Sequence, residues 1–219
     1  MTQAVNSAES LWSNHAKASD LIAHLLTLKG RHIIAIAGAP GSGKSTLSEY
    51  LASTLNAHSP GSAAIVPMDG FHYDDAVLHA RGTYPRKGAP FTFDVGGMVS
   101  LLRRLKENAE SEIAVPVFDR NLEISRAGGR LIAQVTPLLL VEGNYLLLDQ
   151  QPWAALRPIY DLTVFLSVPV AELETRLVRR WIDHGLDPIA ARKRAQDNDL
   201  ENAKLVEGHS TAADFTLTE

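Results

Sequence analysis

The sequence predicts an α/β fold built around a parallel sheet, and three observations carry that reading. Short apolar runs alternate with longer amphipathic ones along most of the chain, the pattern of repeated strand–helix–strand units. The first apolar run leads straight into a glycine-rich loop and then a helix. Three of the runs end in residues able to do chemistry, and in a parallel sheet all strand C-terminal ends lie on one edge, where ligands bind.

The elements follow in order. Ser7 to Lys29 reads as an opening helix with Leu21, Ile22, Leu25, Leu26 and Leu28 apolar, stopped by Gly30. His32 to Ala37 is a buried strand and Lys44 to His58 a helix. Ala63 to Met68 is a second strand. Residues 71–93 are irregular. Asp94 can cap a helix from Val95 to about Asn108, with Leu101, Leu102 and Leu105 on one face. Residues 113–133 hold two extended pieces around a turn at Gly128-Gly129. Pro137–Val141, Asp161–Leu166 and Ala213–Leu217 are the third, fourth and fifth strands. Two helices lie between the last two strands. One runs from Val170 to His184 and stops at Gly185. The other is opened by Asp187-Pro188.

Composition narrows the class. The chain has 219 residues, 45% hydrophobic and 21% charged, enough for one well-filled core and one domain, 1–219. A formal charge of −4 gives no broad field to draw nucleic acid or an anionic membrane, so neither is an expected partner. The absence of cysteine excludes disulfides and thiolate metal sites. None of the eight histidines stands in a HExxH or HxxxH spacing. Met1 to Ser10 lacks a signal pattern, and the longest apolar run, Pro137–Val141, is too short to span a bilayer. A cytoplasmic enzyme acting on a small molecule is the expectation.

The most specific motif is Gly38-Ala39-Pro40-Gly41-Ser42-Gly43-Lys44-Ser45-Thr46, a full G-x-x-x-x-G-K-[ST] match between strand and helix. Its glycines let successive N–H groups turn inward on phosphate oxygens, and the helix that follows adds its N-terminal partial charge. Lys44 reaches the β- and γ-phosphates and Ser45 is a ligand for Mg²⁺. ATP and Mg²⁺ are therefore the expected cofactors.

The second strand leads into Asp69 and the third into Glu142, which brings both carboxylates towards the γ-phosphate. A hydroxyl nucleophile needs a carboxylate to take its proton, and Mg²⁺ needs oxygen ligands, often through water. Asp69 is assigned as the base and Glu142 as the acid that holds the metal shell, with an exchange of the two left open. Arg176, Arg179 and Arg180 share one helix face, where like charges repel. A bound triphosphate would relieve them, with Arg176 and Arg180 closing over the nucleotide as a lid at about 170–200.

Residues 71–94 and 113–133 mix aromatic planes with hydrogen-bonding groups and suit a polar acceptor. The acceptor-side residues are Asp69, His72, Tyr84, Arg86, Lys87, Asp94, Phe118, Arg120, Asn144 and Tyr145. Asp94 also has the bland reading of a helix cap.

GAPGSGKST at 38–46, PMDGFHYDD at 67–75, RKGAPFTFD at 86–94, VPVFDR at 115–120, VEGNYLLLD at 141–149 and RLVRRW at 176–181 together resemble the uridine kinase, pantothenate kinase and phosphoribulokinase superfamily of P-loop kinases. The likeness covers most of the chain from Ile33 onward. It is nearest to a bacterial branch called fructose transport system kinase or uridine kinase-like. The resemblance implies a P-loop NTPase fold of three layers, α/β/α, with a five-stranded parallel sheet ordered 2-3-1-4-5. It also implies ATP with Mg²⁺, a carboxylate base at Asp69, a mobile arginine lid at 176–180 and a homodimer. MDGFH replaces the DSFY-like stretch of true uridine kinases, which argues against a nucleoside.

The expected activity is ATP-dependent phosphoryl transfer to a hydroxyl of a small polar metabolite, a sugar or sugar derivative foremost and a fructose-type kinase by resemblance. Pantothenate- or nucleoside-type kinases stand behind it. A P-loop NTPase or nucleotide-binding regulator without an acceptor is the other class. A regulatory GTPase would need N-K-x-D and a D-x-x-G switch after a strand, and the sequence offers neither.

Overall fold

A computed structural model describes residue 12 and residues 15–218. The part of the opening helix expected at residues 7–11, 13 and 14 lies outside the described residues. The described elements are α1 (Ala16–Thr27), β1 (His32–Gly38), α2 (Lys44–His58), β2 (Ala63–Pro67), α3 (Asp75–Ala80), α4 (Val95–Glu107), β3 (Glu112–Asp119), β4 (Ile124–Ala133), β5 (Leu138–Gly143), β6 (Leu162–Ser167), α5 (Val170–Asp183), α6 (Pro188–Arg194), α7 (Leu200–His209) and β7 (Phe215–Thr218).

Five strands form a parallel sheet in the order β2-β5-β1-β6-β7. With the separate β3–β4 hairpin left out of the count, that order is 2-3-1-4-5. β5 is buried along its whole length and β1 at all but His32, as central strands covered on both faces must be. One face carries Ile34 and Ile36 with Leu21 and Leu25 of α1 and Leu47, Leu51 and Leu55 of α2. The other carries Ile33, Ala35 and Ala37 with Leu102 and Leu105 of α4, Leu173 and Leu177 of α5 and Val206 of α7. The result is three layers, helix on sheet on helix.

The structure revises four local expectations. In α1, Leu26 is 43% exposed; it points away from the face that Leu21, Ile22 and Leu25 bury, and Leu28 lies past the helix end. The hairpin turns at 120–123, not at Gly128-Gly129, which lie inside β4. There, Gly129 makes room for the Val117 side chain opposite it, and the register shifts between Val115 and Val117. The irregular stretch after β2 contains α3 and short 3₁₀ turns at Met68–Phe71, Tyr84–Arg86 and Pro90–Thr92. Three helices, not two, separate β6 from β7. α6 runs through a π turn, Ala195–Asp199, into α7.

Candidate active site

The phosphate loop forms because glycine occupies the positions that need a left-handed backbone. Gly41 has φ +82° and Gly43, the cap residue of α2, has φ +88°. A side chain on Gly41 would press on Leu177 of α5, 3.2 Å from its Cγ, so the loop and the helical arm are in direct contact. Beneath the loop, Ala39 and Ser42 are fully buried, and Gly38 has no room for a side chain against the carbonyl of Leu166. Pro40, Gly41, Gly43, Lys44, Ser45 and Thr46 line a cavity of about 380 Å³.

Lys44 starts α2 and is pulled two ways. Burial pushes its ammonium below the ordinary lysine value, while the carboxylates of Glu142 and Asp69 pull it back up. Glu142 lies near the end of β5, 9% exposed. Burial raises its carboxyl above the ordinary range, opposed by Lys44 and by a hydrogen bond from Ser45 Oγ to Glu142 Oε2 at 3.1 Å. Asp69 sits in the 3₁₀ turn after β2, and its Oδ2 accepts from Arg120 at 2.8 Å. One β-strand end, one turn and one helix start thus bring two carboxylates, an ammonium and a hydroxyl together.

The site fits a triphosphate and a hard cation. The Lys44 cation is held in a desolvated place. An incoming anion would compensate that charge. Ser45 and Glu142 are oxygen donors of the kind Mg²⁺ takes. Among the described residues no group of three or more His, Asp or Glu is set to hold a metal, so the remaining positions would fall to phosphate oxygens and water.

More of the cavity wall is built by the segment after β2, by the hairpin and by the residue after β5. His72, Lys87, Phe118, Arg120 and Asn144 line it. The His72 ring packs on Phe93 and Phe118, with centroids 4.0 and 4.8 Å away. Its Nδ1 lies 2.9 Å from the Asp69 carbonyl oxygen; since a carbonyl only accepts, Nδ1 carries the proton and Nε2 is left as an acceptor. Lys87 Nζ pairs with Asp75 at 2.7 Å and Glu123 at 3.6 Å.

Eight residues expected at the site do not line this cavity: Gly38, Ala39 and Ser42 lie beneath the phosphate loop, and the other five sit elsewhere. Tyr84 is a surface ring, 40% exposed and stacked on His79 at 4.1 Å. Tyr145 is fully buried; its ring meets Phe93 and Trp153 edge-on or tilted and its hydroxyl donates to the Gly88 carbonyl. Asp94 caps α4, its Oδ1 accepting from Gly97 N–H at 2.9 Å. Arg86 reaches sideways, donating to Asn198 Oδ1 at 2.9 Å and Asn202 Oδ1 at 3.5 Å. Arg176 pairs with Glu172 along its own helix at 2.8 Å. Of the arm arginines named in advance, Arg180 faces the cavity; it lies over the Trp181 ring at 5.2 Å and 3.7 Å from Asp199.

The sequence reading missed Glu123, Trp181, Arg194, Asn198, Asp199 and Asn202, which line the same cavity. Trp181 Nε1 donates to Asp199 Oδ2 at 2.6 Å. One signal was present. Asn198 and Asn202 are polar, four apart, and share the stripe of Ala195, Ala203 and Val206, all buried. Polar residues at core positions of a helix mark an interior that contacts something polar.

A sequence model of the phosphoribulokinase/uridine kinase family matches residues 33–198. A Schizosaccharomyces pombe protein provisionally named a uridine kinase is 32% identical over 98% of this chain and 92% of its own length. The uncharacterized Escherichia coli protein YggC is 33% identical over 98% and 90%. The crystal structure of a protein from Silicibacter sp. TM1040, provisionally named a fructose transport system kinase, is 45% identical. It aligns at a TM-score of 0.85 over 93% of this chain and all of that one.

Proposed function

The chain belongs to the phosphoribulokinase/uridine kinase family of ATP-dependent kinases, and we propose that it moves the γ-phosphoryl group of Mg·ATP onto a hydroxyl of a sugar or sugar derivative. The observation that supports this most is that one cavity is lined by the phosphate loop together with Asp69, His72, Phe118 and Arg120. A nucleotide phosphate and a small polar acceptor would meet there beside one carboxylate.

Lys44 and the N–H groups of the loop hold the phosphates and take up charge in transfer. Arg120 occupies Asp69 Oδ2, so Oδ1 receives the acceptor's hydroxyl proton while the acceptor oxygen bonds to the γ-phosphorus and ADP leaves with the electron pair. Ser45 and Glu142 would hold Mg²⁺, which would supply screening of the charge that develops on the phosphate oxygens. Arg180 swings from Asp199 onto the phosphates, its charge worth most where water is excluded.

Expected from Asp69→Asn is near-normal ATP binding with turnover lower by roughly 10²–10⁴; a full rate would remove Asp69 as the base. The primary test is ADP release with Mg·ATP across sugars, sugar phosphates, nucleosides and pantothenate, with Lys44→Ala beside it. Stimulation by a sugar, lost in the control, supports the reading. Turnover that ignores every acceptor points instead to an NTPase.

A further inference from the structure

We infer that the acceptor is an uncharged polyol, and that Glu123 is the residue that turns away acids and sugar phosphates; this rests on the kinase reading and narrows its acceptor. Sites for phosphate or carboxylate groups keep cations free to meet them. Among the cavity residues expected at the acceptor, the two cations already have carboxylate partners. Arg120 lies 2.8 Å from Asp69 Oδ2. The Lys87 side chain, 13% exposed, is shared by Asp75 and Glu123 at 2.7 and 3.6 Å. One ammonium between two carboxylates leaves an excess negative charge beside the opening.

The backbone of Glu123 is held in place. Its φ of +56° is costly for a side-chain-bearing residue. Lys87 Nζ stabilises that backbone by donating to the Glu123 carbonyl oxygen at 2.7 Å, and such strain persists only where the surroundings enforce it. Glu123 lines the cavity, with its side chain 63% exposed. An anionic acceptor would have to sit near it at a cost, whereas a hydroxyl can donate to it.

The rest of the wall also asks for donors. Asn144 Oδ1 is buried with no partner; a hydroxyl satisfies it, while a carboxylate or phosphate oxygen offers no proton. The cations of the cavity that lack a carboxylate ion pair among the described residues are Lys44, in the phosphate loop, and Arg194, which lies over Trp181 on the helical arm. Behind Asp69, a smaller cavity of about 230 Å³ sets Arg120 and Arg130 against Asp69, Glu142 and Glu49, so no positive excess exists there either.

The test uses pairs that differ in charge: fructose and fructose 6-phosphate, glycerol and glycerate, panthenol and pantothenate. Binding is measured by calorimetry with Mg²⁺ and a non-hydrolysable ATP analogue, and ADP release is followed with ATP. The uncharged partner should bind about tenfold or more tightly in each pair that responds, and Glu123→Gln should shrink that ratio severalfold by improving the anion. A melting curve of the variant matching the parent shows that its fold is kept. Anions binding as well as their partners, a ratio unmoved in Glu123→Gln, or no binding by any compound would overturn the inference. Selective binding of polyols without ADP release would instead sink the transfer reading and leave the selectivity standing.

Discussion

His72 shows how one side chain couples site and stability. It is wedged between Phe93 and Phe118, and burial holds its imidazole below the ordinary value, with the Asp69 carboxylate pulling the other way. The depressed value means the unfolded chain binds the extra proton first. Stability contributed by neutral His72 is therefore present above the ordinary histidine value, and is lost as pH falls through it towards the folded one. Denaturant midpoints at pH 5 and 7.5 should differ less in His72→Gln than in the parent; an unchanged difference would exclude His72 as the titrating group. At this scale the sequence was most readable where chemistry restricts residue type. Lys44, Ser45, Asp69 and Glu142 line one cavity, as expected of residue types that suit phosphate and a hard cation at one sheet edge. Tyr84, Tyr145 and Arg86 were unreadable because an aromatic ring or guanidinium suits a surface, a core or a ligand equally well. Only packing decides that Tyr145 faces Trp153 and Tyr84 faces His79.

Among elements, α4 separates capping from binding. Asp94 closes its first turn, so Asp94→Ala should cost about 1 kcal/mol. That lowers the melting temperature by roughly 2–4 °C in a chain of this size, with the acceptor KM unchanged. A raised KM at normal stability would return Asp94 to the acceptor site. The hairpin shows why element boundaries escaped the sequence. A Gly-Gly pair is a strong turn signal, yet the turn is made upstream by Asp119, whose Oδ1 accepts from the N–H groups of Asn121 and Leu122 at 3.1 and 3.2 Å. Gly129 is needed for space instead, because Val117 packs where its Cβ would stand. The helical arm was half legible. Asp187-Pro188 marked the start of α6, its Oδ1 accepting from Ile189 and Ala190 N–H, but nothing in sequence announces a π turn. That turn carries Asn198 and Asp199 to the cavity, a recurrent use of such turns.

For the whole molecule, ligand and fold are linked. A buried Lys44 ammonium is a cost that a bound triphosphate would offset. Mg·ATP at about 100 times its Kd should add roughly 2.7 kcal/mol to stability. Melting should then rise by roughly 5–10 °C, and Lys44→Ala should abolish most of the rise. A shift that survives in that variant would mean the nucleotide sits elsewhere. No helix among the described residues is long and apolar enough to cross a membrane. The sheet's architecture was the most legible feature of all, since its five strands, the phosphate loop and the carboxylate-bearing edge follow from apolar runs punctuated by Gly, Asp and Glu.

The strand order also has a consequence in time. β1 is made first of the described strands but stands in the middle of the sheet, and its neighbours arrive late: His32 pairs with Leu138 and Ile34 with Leu162. About 100 residues must be synthesised before the first partner exists, which at 5–20 residues per second takes roughly 5–20 s. Throughout that wait the nascent chain carries an apolar segment, Ile33 to Ala37, without its sheet. Newly made chains released early from the ribosome should therefore aggregate through this segment, and amide protection of β1 should appear only once β5 and β6 have emerged.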